Sequence, residues 1–307
     1  VYWLLKYQVK CKEKLDISLL LTREERQKKM KSITILQENE ISDKNRVATV
    51  TDYAISNGAV VYEKKGKQKL GRYWTSTCNP EVLNATFVGT DGLCYPNSNK
   101  KFVNYGYGIG LRLGFKVSSD LFKTIEKECG KSIKDGEEFE YFAEIENLVS
   151  DELEKELNTS NEIHKLDYSC VRNKGVLKYF VSEKIPLYEY QDRVFAKVTH
   201  NYLKYKNKEK DYVWMEVKKI KWLRDNDNVI SKNIITGGID FHNWYYSGKF
   251  NETSVYNYIN KQLVPEINTL GNILSFFERK QNRKKVVDIS SVDSNVRTSV
   301  KEKVLKK

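Results

Sequence analysis

GRYWTSTCNP, residues 71–80, sets two large rings, Tyr73 and Trp74, directly against a run of small hydrogen-bonding side chains. Aromatic and β-branched residues suit a half-buried strand, and Asn79-Pro80 marks a turn. The pattern predicts a strand over residues 70–75 that opens onto a ligand-facing loop over 75–79. A buried tryptophan withdraws on the order of 200 Å² from water, so the ring would hold the loop on a rigid platform. Short polar residues and tyrosines then offer hydrogen bonds and flat surfaces at low entropy cost.

Further β signals surround this stretch. Residues 85–89 lead through Thr90-Asp91-Gly92 into Leu93-Cys94-Tyr95, a hairpin whose Asp-Gly pair suits positive φ. A polar-aromatic loop over 96–107 precedes a closing strand over 109–117. There Ile109, Leu111, Leu113 and Phe115 share one face. Arg112 shares the other with Gly110 and Gly114, whose missing side chains admit a close neighbour. Trp74, Phe87, Tyr107 and Leu111 read as core, while Arg112 reads either as a ligand contact or as a structural ion pair or cap on a buried carbonyl.

Helix signals punctuate the chain. Thr22 to Glu25 forms a capping box after a strand over 1–11. Thr51-Asp52-Tyr53-Ala54-Ile55 opens a short helix stopped by Asn57-Gly58. The middle predicts a helix or loop over 117–131, an aromatic strand over 138–145 and a charged helix over 150–157. Strands follow at 176–181, 188–197 and 212–217, the second forming a hairpin through a polar turn. Residues 220–223 pass through an Asp225–Asn228 turn to 229–232. Asn251 to Ser254 caps a helix over 255–263, apolar at every fourth position.

The composition narrows the function. Twenty Tyr, twelve Phe and five Trp in 307 residues supply a core and many half-wet rings. Half of the net charge of +12 lies in residues 278–307, with ten Lys/Arg against four Asp/Glu, so that segment reads as a basic, mobile tail. Five cysteines without CxxC spacing and three scattered histidines do not make a zinc site. Cys78 and Cys94 read as free thiols or as partners across neighbouring strands. Asp225 and Asp227 read as turn residues before calcium ligands. The glycines of YGYGIGLRLG precede no helix, so they offer no phosphate cradle, and no nucleophile or metalloprotease motif occurs. No cofactor and no catalytic residue are expected. VYWLLKYQVK lacks the long apolar region of a signal peptide and no segment reaches the ~20 apolar residues of a bilayer span, so a cytoplasmic or particle-associated protein is expected.

The runs TDYAISNGA, RYWTSTCNP, ATFVGTDGLC and VNYGYGIGLRLGF resemble the C-terminal half of a bacterial and phage domain family of unknown function. Its pattern is a T-D-Y-A helix, a W-x-R-S-P strand, a strand with a D-G turn and a closing Y-G-V-R-P-A-L strand. The region VWMEVKKIKWLRDNDNVISKNIITGGIDF with FNETSVYNYINKQLVPEI is similar to that family's N-terminal half, with Trp222, Ser231-Lys232 and Ile259-Asn260 in the matching places. The resemblance spans residues 18–117 and 212–267, with the halves in inverted order. Trp74-Thr75-Ser76-Thr77-Cys78 lacks the family's arginine and proline.

The resemblance implies an α+β protein with C-type-lectin-like mixed and antiparallel sheets and short flanking helices. The expected divisions are lectin-like segments at 1–117 and 212–277, a connecting region at 118–211 and the tail at 278–307. The halves could belong to a tandem array, to two domains or to one permuted domain. The candidate ligand contacts are Thr75, Ser76, Asn79, Asn97, Asn99, Tyr105, Tyr107 and Arg112. The expected role is recognition or display of a protein or glycan ligand. The alternatives are assembly within a phage or other particle, and nucleic-acid contact through the tail.

Overall fold

The structure, a computed structural model, describes Met30 and residues 32–66, 68–79, 84–97, 108–166, 185–199, 211–242 and 249–288. The expected strands at 1–11 and 176–181 and the Thr22 capping box lie outside these residues. The protein is α+β, with antiparallel-rich sheets and separate helices. It divides into two compact units, each assembled from separated segments.

The first unit comprises residues 1–50, 59–139 and 221–264. Trp74 lies in the strand Tyr73–Asn79 with its ring fully buried. Its Nε1 donates to the Ile239 carbonyl at 3.3 Å. The ring centroid lies 5.3 Å from Phe241 and 6.2 Å from Phe87. Phe241 extends the contact to Phe250, and Phe250 to Tyr256. These tilted and edge-on pairs suit the ring quadrupoles.

The loop expected over 75–79 is instead strand. Asn84–Val88 runs antiparallel to it, setting Cys78 opposite Ala85 and Asn79 opposite Asn84. The Ser76 N–H donates to the Leu36 carbonyl at 2.9 Å. Small polar side chains do not end a strand whose backbone groups find partners, and an irregularity between Trp74 and Cys78 absorbs the mismatch.

The Asp-Gly hairpin forms as expected. Asn84–Val88 pairs with Cys94–Asn97, and Gly92 takes φ +81°. The closing strand is two strands. Gly110–Leu111 pairs with Tyr73 and with Thr236–Gly237, whereas Gly114–Lys116 pairs with Asn228–Ser231. A Cβ at Gly110 would lie 2.2 Å from Ile234 Cγ2, and one at Gly114 2.5 Å from Leu36 Cγ. The glycines thus admit close neighbours, and the apolar face from Ile109 to Phe115 is buried.

Asn233–Ile234 joins the sheet of Thr49–Val50, Gln68–Gly71 and Val61–Lys65. Strands from 228–237 therefore pair with strands from 49–116. Strands from both of the compared segments meet in this unit, whereas residues 51–58 and 212–220 of those segments belong to the second, and the expected boundary at 117/118 falls inside the first. Ser119 caps the helix Asp120–Cys129, and Gly130 ends it at φ +66°. Thr253 caps Ser254–Tyr258, where Val255 is buried with Ile259 and Leu263 of the next turn, as their fourfold spacing predicts.

The second unit comprises residues 51–58, 140–220 and 265–307. Here the hairpin Leu187–Tyr190 and Arg193–Thr199 turns through Gln191 and Asp192, both at positive φ. Residues 212–217 pair with the second of these strands, from Thr199–Tyr212 to Val194–Val217. Residues 211 and 212 both belong to this unit, so 211/212 is not a boundary, and the division at 220/221 falls inside the strand Tyr212–Asp225.

Leu187, Ala196, Val198 and Met215 pack in one apolar cluster with Leu270, Ile273 and Phe277 of the helix Val264–Asp288. That helix runs into the segment expected as a mobile tail, with a terminal helix as the lesser alternative. Residues 278–288 are helical, and the remainder lies outside the described residues. An apolar stripe at helical spacing anchors the helix up to Phe277, and each further turn then adds a backbone bond without new nucleation. Thr51 caps the helix Asp52–Ser56 by accepting from the Ala54 N–H. Asp52 accepts from the Leu148 N–H while its own N–H donates to Asn147, so cap and strand exchange bonds. Gly58 takes the positive φ at this stop, while Asn57 does not.

Glu144 and Glu266 are buried in this unit, and Glu144 Oε2 has no hydrogen-bond partner among the described residues. Burial pushes both carboxyls well above the usual carboxylate range, with Glu146 adding to the rise at Glu144 and Glu144 to that at Glu266. The folded state thus keeps protons that the unfolded chain releases near pH ~4.3. The resulting stability is complete in acid and is lost as pH rises toward the folded values.

Two outcomes are expected. In urea unfolding, Trp74→Ala costs about 3–5 kcal/mol through lost transfer energy and a cavity. Replacing Glu144 and Glu266 with glutamine raises the melting temperature at pH 8, by about 2–4 °C per kcal/mol gained, and leaves it unchanged at pH 4.

Candidate binding face of the first unit

Strand register builds an aromatic row. Trp74 pairs with Phe87 and Phe87 with Tyr95, so three rings cross three strands on one face. The row runs from core to solvent: Trp74 is buried, Phe87 half-buried and Tyr95 39% exposed. Phe87 and Tyr95 stack with centroids 5.6 Å apart.

Arg72 joins the row two residues before Trp74. Its guanidinium carbon lies 5.5 Å from the centre of the Phe87 ring and 3.8 Å from that of Tyr62, which is itself 39% exposed. Stacked guanidinium and ring attract through the ring quadrupole. The connected face is therefore Tyr62, Arg72, Phe87 and Tyr95.

The Asp-Gly turn completes it. Asp91 accepts from the Leu93 N–H at 3.0 Å and from the Tyr95 hydroxyl. The Tyr95 hydrogen bond is the main cause that lowers the Asp91 carboxyl and raises the Tyr95 phenol. Asp91 is thus anionic and Tyr95 protonated at neutral pH. A Cβ at Gly89 would fall 2.6 Å from Asp91 Oδ1 and 2.7 Å from Tyr95 Cε2, so glycine makes room for the pair. Leu93, 58% exposed, stands beside them. The face offers rings, a guanidinium donor and a carboxylate acceptor.

The residues expected to touch a ligand fall elsewhere. Thr75 is buried, and its hydroxyl donates to the Thr86 carbonyl at 2.9 Å. Ser76 is half-buried within the strand. Arg112 is buried and donates to the carbonyls of Ser231 (2.7 Å) and Asn45 and to the Tyr73 hydroxyl (3.2 Å). It caps buried carbonyls, which corrects its reading as a ligand contact. Thr75 is corrected likewise, because pairing with Asn84–Val88 turns its hydroxyl inward. Asn79 and Asn97 end strands that flank Asn84–Val88. Asn99, Tyr105 and Tyr107 lie outside the described residues.

Asn84–Val88 also separates the strands of Cys78 and Cys94, so these thiols do not sit on neighbouring strands, and neither forms a disulfide among the described residues. Among the described residues no group of three or more His, Cys, Asp and Glu is placed to hold a metal ion. No described helix is long and apolar enough to cross a membrane.

Tyr62, Arg72, Asp91 and Tyr95 were not among the expected contacts. The hairpin signal carried part of the information, since centring the strands on Thr90-Asp91-Gly92 sets Phe87 opposite Tyr95. Tyr62 meets Arg72 because the hairpin of Val61–Lys65 and Gln68–Gly71 sets Val61 opposite Gly71, with a register shift between Val61 and Glu63 that local spacing does not specify.

No family model matches the chain, no curated protein matches it, and no solved structure matches it.

Arg112→Lys removes the fork that reaches three acceptors. It is expected to destabilise the protein by about 1–3 kcal/mol, the cost of leaving buried acceptors unsatisfied, as read by urea unfolding.

Proposed function

We propose that the protein is a non-catalytic recognition module on a C-type-lectin-like scaffold, binding a protein or glycan through the Tyr62–Arg72–Phe87–Tyr95 face. The observation that carries this reading is the row of rings rising from the buried Trp74 to the exposed Tyr95, with Arg72 stacked on Tyr62. Tyrosine and arginine dominate the energetics of recognition surfaces because each combines flat apolar area with a polar head. Anchoring on a core tryptophan pre-organises the face, which lowers the ordering cost of binding.

The motif resemblance supports the scaffold, and the ring stack replaces the expected 75–79 loop as the surface that touches the ligand. Screening the intact chain on an immobilised oligosaccharide array and against a displayed peptide library tests the proposal. A ligand recovered from either screen should lose at least tenfold in affinity with the double variant Tyr62→Ala, Tyr95→Ala. The melting temperature should stay within a few degrees, since both rings are partly in water. Undiminished binding to that variant would show that contact is made elsewhere.

A further inference from the structure

Among the described residues five large apolar side chains are exposed: Val47, Tyr62, Leu93, Tyr95 and Leu148. The first four belong to the first unit and stand around Arg72 and the Asp-Gly turn. Leu93 and Tyr95 follow Gly92 at that turn. A Cβ at Gly92 would lie 3.5 Å from Val47 Cγ2, so Val47 sits against the same turn from the segment just before Thr49–Val50. Val47 is 40% exposed and Leu93 58%. Exposed apolar side chains scattered singly are ordinary, whereas a contiguous group marks a place of contact.

The polar groups around this patch are mostly engaged. Asp91 accepts from the Leu93 N–H and from the Tyr95 hydroxyl. Arg46, which also borders Gly92, pairs with Asp43 at 2.8 Å and donates to the carbonyls of Ile41 and Glu38. Arg72 differs. It is stacked on Tyr62, and among the described residues it forms no ion pair. Stacking through the flat face of a guanidinium leaves its N–H edges for a carboxylate.

Two ligand chemistries then separate. Sugar hydroxyls need donors and acceptors around them, and the side chains of Val47 and Leu93 supply none. Aliphatic groups leave water favourably only against other apolar groups. Arg72, on a chain of net charge +12, favours an anionic group in the partner that brings those apolar side chains.

We infer that the partner at this face is a protein segment that sets apolar side chains on Val47, Leu93 and Tyr95 and a carboxylate on Arg72. The inference rests on the binding face proposed above and names the chemistry of its partner.

Panning the intact chain against three randomised peptide libraries of equal length tests it: apolar with acidic residues, serine and glycine with acidic residues, and apolar with basic residues. The first library is expected to be enriched. A peptide recovered from it should lose at least tenfold in affinity, read by fluorescence anisotropy, with the double variant Val47→Asn, Leu93→Asn. Arg72→Gln should weaken it at least fivefold, and less so at high salt. Leu148→Asn, a comparably exposed site in the second unit, should leave affinity unchanged. All of these variants should melt within a few degrees of the parent.

Preference for the serine–glycine acidic library, or binding indifferent to the variants of Val47, Leu93 and Arg72, would overturn the inference. Enrichment of the basic library would overturn the carboxylate assigned to Arg72. Binding of maltohexaose that is lost with Tyr95→Ala but kept by the Val47 and Leu93 variant would overturn the protein class while leaving the binding face in place. Self-association abolished by Leu93→Asn, without peptide enrichment, would assign the patch to a second copy of the chain instead. Enrichment of no library would also overturn the inference, and the oligosaccharide array would then decide separately whether the face binds anything.

Discussion

The first unit depends on burying Trp74. A ring of that size needs apolar neighbours on every side and a partner for its N–H. Phe241, Phe87 and the Ile239 carbonyl meet those needs. Once the ring is placed, the strand Tyr73–Asn79 is fixed in depth, and the register of Asn84–Val88 and Cys94–Asn97 follows. Phe87 and Tyr95 then have nowhere to go but outward along the same face. The core thus aims the surface, because a one-residue slip would turn every ring to the other side of the sheet.

Buried polar groups in this unit act as fasteners. Arg112 collects two carbonyls and the Tyr73 hydroxyl, which in turn donates to the Arg46 carbonyl at 2.7 Å. Such a charge-assisted cluster satisfies several acceptors that would otherwise be costly to desolvate. The second unit has the opposite arrangement. Glu144 and Glu266 are buried there, and burial raises both carboxyls so that they hold their protons. One unit meets burial with hydrogen bonds, and the other meets part of it with neutralisation.

Much of the fold was legible. The caps at Thr51 and Thr253 accept from an early helical N–H, as short hydroxyl side chains at those positions should. The Asp-Gly hairpin, the aromatic strand Glu138–Leu148 and the buried stripe Val255, Ile259 and Leu263 follow from local periodicity. The candidate site was less legible. Thr75 looked like surface chemistry because its residue type is polar, and Arg112 could be read either way, yet both serve the interior. Polarity predicts exposure only when no buried acceptor needs a donor.

The sequence by itself determined where helices start, where hairpins turn and which faces are apolar, because those depend on residues within a turn or two of one another. Only the tertiary structure decided that residues 228–237 pair with strands from 49–116, that the Ser76 N–H finds the Leu36 carbonyl, and that the Trp74 ring meets Phe241 and the Ile239 carbonyl. Each of these sets backbone or rings from distant parts of the chain against one another. Such pairings arise from competition among all available partners for burial and hydrogen bonds, and no local pattern encodes which partner wins.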